Sequence, residues 1–187
     1  MVRHLSVDGL FTATRRVALV LAFSVHAAQA AHGASSPAHV AANLDERIAC
    51  SIAAAVKFQI PVNAMLAVAE QEAGRPGLRV KNSNGSFDLG AMQINTAYLV
   101  ELKRYGITAQ DVIAPGCYPY ELAAWRIRGH ILADRGDMWT RIANYHSRTP
   151  KYNAVYRRAV MVKAGKWAEW LKVRYPIYEV NELPRLD

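Results

Sequence analysis

A mainly α domain is the fold class this sequence predicts, and three observations predict it. Apolar residues recur at helical spacing through most of the chain after residue 44, strand-like alternation is almost absent, and the helical stretches break at Gly, Pro and Asn-Gly. With 187 residues the chain can bury one real core but not two. No G-x-G-x-x-G, phosphate loop or repeat occurs, so nothing points to nucleotide binding.

Residues 1–30 read as a secretory signal peptide. Arg3, Arg15 and Arg16 give a basic start, Val17 to Val25 is apolar but too short to span a bilayer, and Ala28-Gln29-Ala30 is an A-x-A cleavage pattern. Cleavage after Ala30 is expected to leave a periplasmic protein with no membrane span. Residues 31–43, rich in Ala, Ser and His, read as a flexible linker.

The domain is expected over residues 44–173. Asp45 is placed as the N-cap of a first helix through Val56, closed by Gln59-Ile60-Pro61. Pro61 then opens a second helix ending at Glu72, with Gly74 and Pro76 as its stop. From Arg75 to Gly90 the composition turns to Gly, Pro, Asn and Ser, and Asn84-Gly85 marks a loop or small irregular hairpin. Helices follow at 95–104, stopped by Gly106, and at 108–113, ended by Pro115-Gly116. Three more cover 120–134, 138–145 behind the cap Asp137, and 152–173. Residues 174–187 form a C-terminal tail.

The chain carries 23 Lys and Arg against 15 Asp and Glu. Removing residues 1–30 takes away three Arg and Asp8, leaving 20 basic against 14 acidic residues. Such a protein favours an anionic partner. An exported protein meets the carboxylates of muramic acid and its stem peptides first, and no nucleic-acid partner is expected. Cys50 and Cys117 are the two cysteines, and in an oxidising compartment a structural disulfide between them is the first choice. No ligand-spaced cluster supplies a metal site, and no cofactor is expected.

Glu72 is the candidate catalytic residue. Ala64, Leu66, Ala67, Val68 and Ala69 make the helix before it almost wholly apolar, so a carboxyl on its last turn is poorly solvated. Desolvation disfavours the charged form and raises a carboxyl pKa, which suits a general acid. Glu70 lies about 200° round the helix from it, toward another face.

The segment Gln71-Glu72-Ala73-Gly74, the loop Asn82 to Gly90 (NSNGSFDLG), Met92-Gln93-Ile94-Asn95, and Tyr145-His146-Ser147 followed by Tyr152 and Tyr156 occur in that order. This combination resembles the soluble lytic transglycosylases, especially small exported members that accompany conjugation and type IV secretion machines. The resemblance covers about residues 44–173. It implies a lysozyme-like fold of packed short helices with an irregular loop beside a cleft. It also implies cleavage of the β-1,4 bond between N-acetylmuramic acid and N-acetylglucosamine in peptidoglycan, with a 1,6-anhydro product and no cofactor. Glu72 matches the catalytic glutamate. Gln93, Tyr145, Asp88 and Ser147 match substrate-contacting positions, with Tyr145 expected to hydrogen-bond near Glu72. Components of a conjugation or secretion machine are candidate partners.

Two readings of Asp88 stand side by side. The loop also matches animal-type lysozymes, in which the equivalent Asp is the second carboxylate of a hydrolase; alternatively Asp88 is an Asx-type turn residue after Gly85. Ala73 stands where the family usually has Ser, and His146 where it commonly has Asn. These departures keep a third reading open, an inactive wall-binding assembly module.

Overall fold

The computed structural model describes the backbone of residues 37–175 and the side chains of residues 45–175. The segment expected to be a signal peptide, the first part of the expected linker and most of the expected C-terminal tail lie outside the described residues. Seven α-helices and a small sheet form a mainly α, lysozyme-like architecture. Helix α1 runs Pro37–Phe58, α2 Val62–Glu72, α3 Leu99–Leu102, α4 Ala109–Ile113, α5 Tyr118–Ala133, α6 Met138–Ala143 and α7 Pro150–Arg174. Short 3-10 turns flank α3.

Helix α2 is the centre. Ala64 to Ala69 are all buried, so this helix has no solvent face over nearly two turns, and it packs against both α1 and α7. Four of the residues from Ala64 to Ala69 and their flanks are alanine or valine, small enough to let neighbouring helices approach closely. The core continues through Met92, Ile94, Leu102, Val112, Ile127, Ile142 and Val160. Among the described residues, no helix is long and apolar enough to cross a membrane.

Two boundaries differ from the sequence expectation. α1 begins at Pro37, so Asp45 lies inside the helix rather than capping it, and the expected linker is helical from Pro37 onward. Alanine-rich composition is as compatible with helix as with a linker, and Ala is the strongest helix former. The left-handed residue that ends α2 is Ala73, φ 49°, whose N–H bonds the Ala69 carbonyl. Gly74 is needed for a different reason: a Cβ there would stand 2.2 Å from the Gly90 carbonyl oxygen and 2.7 Å from that of Ala91. The backbone leaving α2 therefore crosses directly against residues 90–91, which lead into Gln93.

The irregular hairpin is a three-stranded antiparallel sheet in the order β1 (Arg79–Lys81), β2 (Phe87–Leu89), β3 (Ile94–Asn95). Its register pairs Val80 with Asp88 and Asp88 with Asn95. The turn between β1 and β2 is closed by Asn84, whose Oδ1 accepts from the Ser86 N–H at 3.0 Å. The Asx-turn role thus belongs to Asn84, and Asp88 sits in a strand. Strands of two or three residues are too short to leave a periodic signal.

Cys50 on α1 and Cys117 at the start of α5 are joined by a disulfide that closes a 67-residue span, the kind of bond that persists in oxidising compartments. The Glu46 carboxylate reinforces that junction by accepting the Gly116 N–H at 2.7 Å. At the other end of α5, Asp134 collects the His130 ring nitrogen at 2.8 Å, the Asn144 amide at 2.8 Å and the Arg148 guanidinium at 3.2 Å. Arg148 first, then Asn144 and His130, hold the Asp134 carboxyl down at about 2 against the opposing effect of burial. Buried Asn153 ties α7 to the same corner through Asn144 Oδ1 at 2.8 Å and the Ser147 carbonyl at 3.2 Å. This polar corner carries the segment Tyr145 to Ser147 toward α2.

Gly74→Ala is expected to cost roughly 2–3 kcal/mol in urea unfolding, since its methyl must push backbone rather than side chain. Gly77→Ala serves as the comparison: with φ 76° and open space around it, its cost should stay near about 1 kcal/mol.

Candidate active site

The C-terminal end of α2 opens into a cleft of about 360 Å³ lined by Glu72, Asp88, Gln93, Asn95, Arg126, Tyr145 and His146. The structure therefore brings Glu72, Asp88, Gln93 and Tyr145 together from α2, the sheet, the turn after Gly90 and the end of α6. Ser147 is not among the lining residues. Its Oγ accepts the Thr149 N–H at 3.1 Å and shapes the entry to α7 instead.

Glu72 is half-buried, open to the cleft and crowded by protein elsewhere. Burial pushes its carboxyl from the ordinary 4.5 up to about 7. The hydrogen bond from Tyr156 pulls it down, the negative charge of Asp88 pushes it up and the positive charge of Arg126 pulls it down. A carboxylate on the last turn also meets the negative end of the helix dipole. The net result is an acid that is about half protonated at neutral pH, the condition under which one group can both give and take a proton. Glu70, two residues earlier, faces α7, where it accepts from Lys163 at 3.0 Å and from the Trp167 indole at 2.7 Å.

The phenol that reaches Glu72 is that of Tyr156, which donates to Oε1. Tyr145 lines the cleft, but its hydroxyl donates to the Met92 carbonyl at 2.6 Å and so fixes the turn that presents Gln93. The Y-H-S context drew attention to Tyr145, whereas Tyr156 lies on α7, eleven residues further along the chain. The sequence motif includes Tyr156 but gives it no role, and its burial with Val160 on one face of α7 reads equally as core.

Gln93 adopts φ 48°, a left-handed conformation unusual for a side chain of this size and costing of order 1–3 kcal/mol. Its Nε2 donates to the Gly90 carbonyl at 2.9 Å. That bond aims the amide, and among the described residues its oxygen has no partner, leaving an acceptor for a ligand N–H or O–H. Asp88 is anchored by the Asn95 amide, which donates to Oδ1 at 2.7 Å while also reaching Ser86 Oγ at 2.9 Å.

His146 stacks on Tyr156 with ring centroids 4.7 Å apart and planes 3° from parallel. Burial of the ring lowers its pKa, opposed by the charge of Asp88, so a neutral imidazole braces the phenol that bonds Glu72. Arg126, from α5, is a further lining residue that no motif in the sequence singles out. Its guanidinium lies 4.3 Å from the centroid of Tyr98 and 5.0 Å from that of Tyr145. Of the four tryptophans, none lines this cleft.

A helical, disulfide-tied domain that offers one protonatable carboxyl beside aimed polar side chains in an open cleft is the class of protein that fold and site define. No protein-family model matches the chain. It is 31% identical over 111 residues to the invasion protein IagB of Salmonella typhimurium, an alignment covering 58% of this chain and 69% of that protein. Protein IpgF of Shigella flexneri is 29% identical over 128 residues, covering 63% of this chain and 84% of that protein. The chain belongs to the family of invasion protein IagB.

Because the raised pKa of Glu72 is a property of the folded state, stability depends on it. The favourable protonation is fully present below about pH 4.5 and is lost as pH rises through about 7. Glu72→Gln, which cannot ionise, should therefore gain roughly 2–3 kcal/mol on wild type between pH 4 and pH 8 in thermal or urea melts. Tyr156→Phe removes the bond that favours the carboxylate, so a carbon-13 titration of Glu72 should show its midpoint moving above 7.

Proposed function

We propose that this protein is a peptidoglycan lytic transglycosylase in which Glu72 is the single acid and base. The observation that carries the reading is the Glu72 carboxyl, raised to about 7 at the edge of the cleft that also holds Gln93, Tyr145 and Asp88. Tyr156 donates to Oε1, so the proton of the neutral acid resides on Oε2. Glu72 gives that proton to the glycosidic oxygen between N-acetylmuramic acid and N-acetylglucosamine, and the bond from that oxygen to C1 breaks. The resulting carboxylate takes the proton of the muramoyl C6 hydroxyl while O6 closes on C1. The chain is cut, a 1,6-anhydro sugar forms, and Glu72 returns to its protonated state with no water consumed. Gln93 accepts from the sugar, and the Tyr145 bond to Met92 holds it in place.

The second reading uses Asp88 as a carboxylate nucleophile and water to finish. It is favoured by one observation, that Asp88 lines the same cleft and its charge is felt at Glu72. Against it stands the Asn95 amide on Oδ1, which stabilises the anion in place and lowers its nucleophilicity.

Export to the periplasm by the residue 1–30 segment, and local opening of the wall for a conjugation or secretion apparatus, belong to the same proposal. The disulfide supports the first and the likeness to a protein named for invasion supports the second.

Digestion of purified sacculi followed by mass spectrometry tests the chemistry. Muropeptides lighter by one water than the hydrolytic products are expected, with Glu72→Gln slowing their release by about 10²–10⁴-fold. Reducing ends without anhydro products would give the reaction to the Asp88 mechanism. No products from either protein, with binding to sacculi retained, would favour a wall-binding module.

A further inference from the structure

A second cavity, of about 500 Å³, lies beside the Glu72 cleft. Arg126 lines both and is the residue they share. Its guanidinium carbon lies within 5.0 Å of the ring centroids of both Tyr98 and Tyr145, contacts that restrain the planar group by its face and leave its edge of N–H donors available. Among the described residues that edge has no ion pair and no hydrogen bond.

The other cations of the cavity are committed. Arg148 is engaged by Asp134 at 3.2 Å, and Arg128 by the Gln59 carbonyl at 3.1 Å. Glu101, the acidic residue of the lining, pairs with Arg104 at 3.3 Å. His130 lines the cavity as well: Nδ1 contacts Asp134, while Nε2 is buried and has no partner among the described residues. An unpaired guanidinium on the wall of a cavity is a group that a ligand would complete.

A planar fork held by its faces suits a carboxylate, which it can grip with two parallel hydrogen bonds. The position of Arg126 adds a geometric requirement: the carboxylate must hang on an arm that leaves the cleft and enters the neighbouring cavity. In the polymer proposed above, the muramoyl O3 substituent is such an arm. It bears either a free lactyl carboxylate or, through that group, a stem peptide carrying several carboxylates. A space of about 500 Å³ is of the size that takes a drug-sized ligand rather than a three-carbon acid.

We propose that Arg126 is a substrate-binding residue that grips a stem-peptide carboxylate, and that the cavity lined by Tyr98, Trp125, Arg126 and His130 houses the peptide. The inference rests on the peptidoglycan reading of the cleft. It makes the protein selective for glycan that still carries its peptides, with the scissile bond and the peptide read on opposite sides of one guanidinium.

Equilibrium binding by calorimetry tests this apart from any cleavage. The probes are a disaccharide-tetrapeptide from the wall, the same molecule with its carboxyls amidated, and the disaccharide ending in a free lactyl carboxylate. Wild-type full chain should bind the first about tenfold more tightly than the second. Arg126→Ala should abolish that preference, losing about tenfold more affinity for the first probe than for the amidated one, and Arg126→Lys should restore part of it. The disaccharide matching the tetrapeptide would support the Arg126 contact and move its source to the lactyl group. No preference in wild type, no binding of any probe, or equal losses for both tetrapeptides in Arg126→Ala would overturn the proposal. A clear preference in a protein that yields no anhydro sugar from sacculi would overturn the transglycosylase chemistry and not the peptide site.

Discussion

The hydrogen bond from Tyr156 to Glu72 joins the two helices on which this molecule depends, α2 and α7. Helix α2 has no polar face to spare, and its burial brings Glu72 to the point where the core meets the cleft. Helix α7 covers α2 along its length and closes the site from the far end of the sequence. One bond therefore reports both on packing and on chemistry. Loss of the helix–helix contact would return water to the carboxyl and remove the reason for its altered acidity.

Around that bond one leading effect, burial, is tempered by opposing ones. Burial and Asp88 favour the neutral acid, while Tyr156 and Arg126 favour the anion. Burial wins, and the opposing effects of Tyr156 and Arg126 keep the group from being held neutral altogether, which leaves its pKa at about 7. A deeper, unpaired carboxyl would hold its proton too firmly to serve as an acid, and a fully solvated one would be too weak a base to take a proton back. The aromatic residues act at one remove. His146 braces Tyr156, Tyr145 holds the turn carrying Gln93, and Tyr98 with Tyr145 pins Arg126.

Much of this was legible in the sequence because it is local. Asp137 caps α6 as its position predicts, Gly106 ends the α3 region in a left-handed conformation, and Glu70 turns away from Glu72 by helical geometry alone. What escaped depends on distance along the chain. Tyr156, which the motif includes without a role, and Arg126, which nothing in the sequence singles out, acquire their meaning only when α7 and α5 fold against α2. The departures from the family pattern also gain a physical account. Ala73 takes the left-handed cap of α2, and His146 supplies a flat ring that stacks where an amide could not. The hairpin around Asn84-Gly85 was legible from its turn residues, whereas its third strand, β3, and the early start of α1 were not, because neither leaves a periodic apolar pattern.

The disulfide divides the site into two sets of residues. Glu72, Asp88 and Gln93 lie within the ring that Cys50 and Cys117 close, whereas Arg126, Tyr145 and Tyr156 lie on the chain that follows it. A molecule that has oxidised its cysteines but not yet docked its last helix holds Glu72 on an α2 with one side still wet. Its carboxyl then has an ordinary acidity. The altered acidity of Glu72 thus depends on chain that lies outside the ring, and the disulfide alone does not confer it.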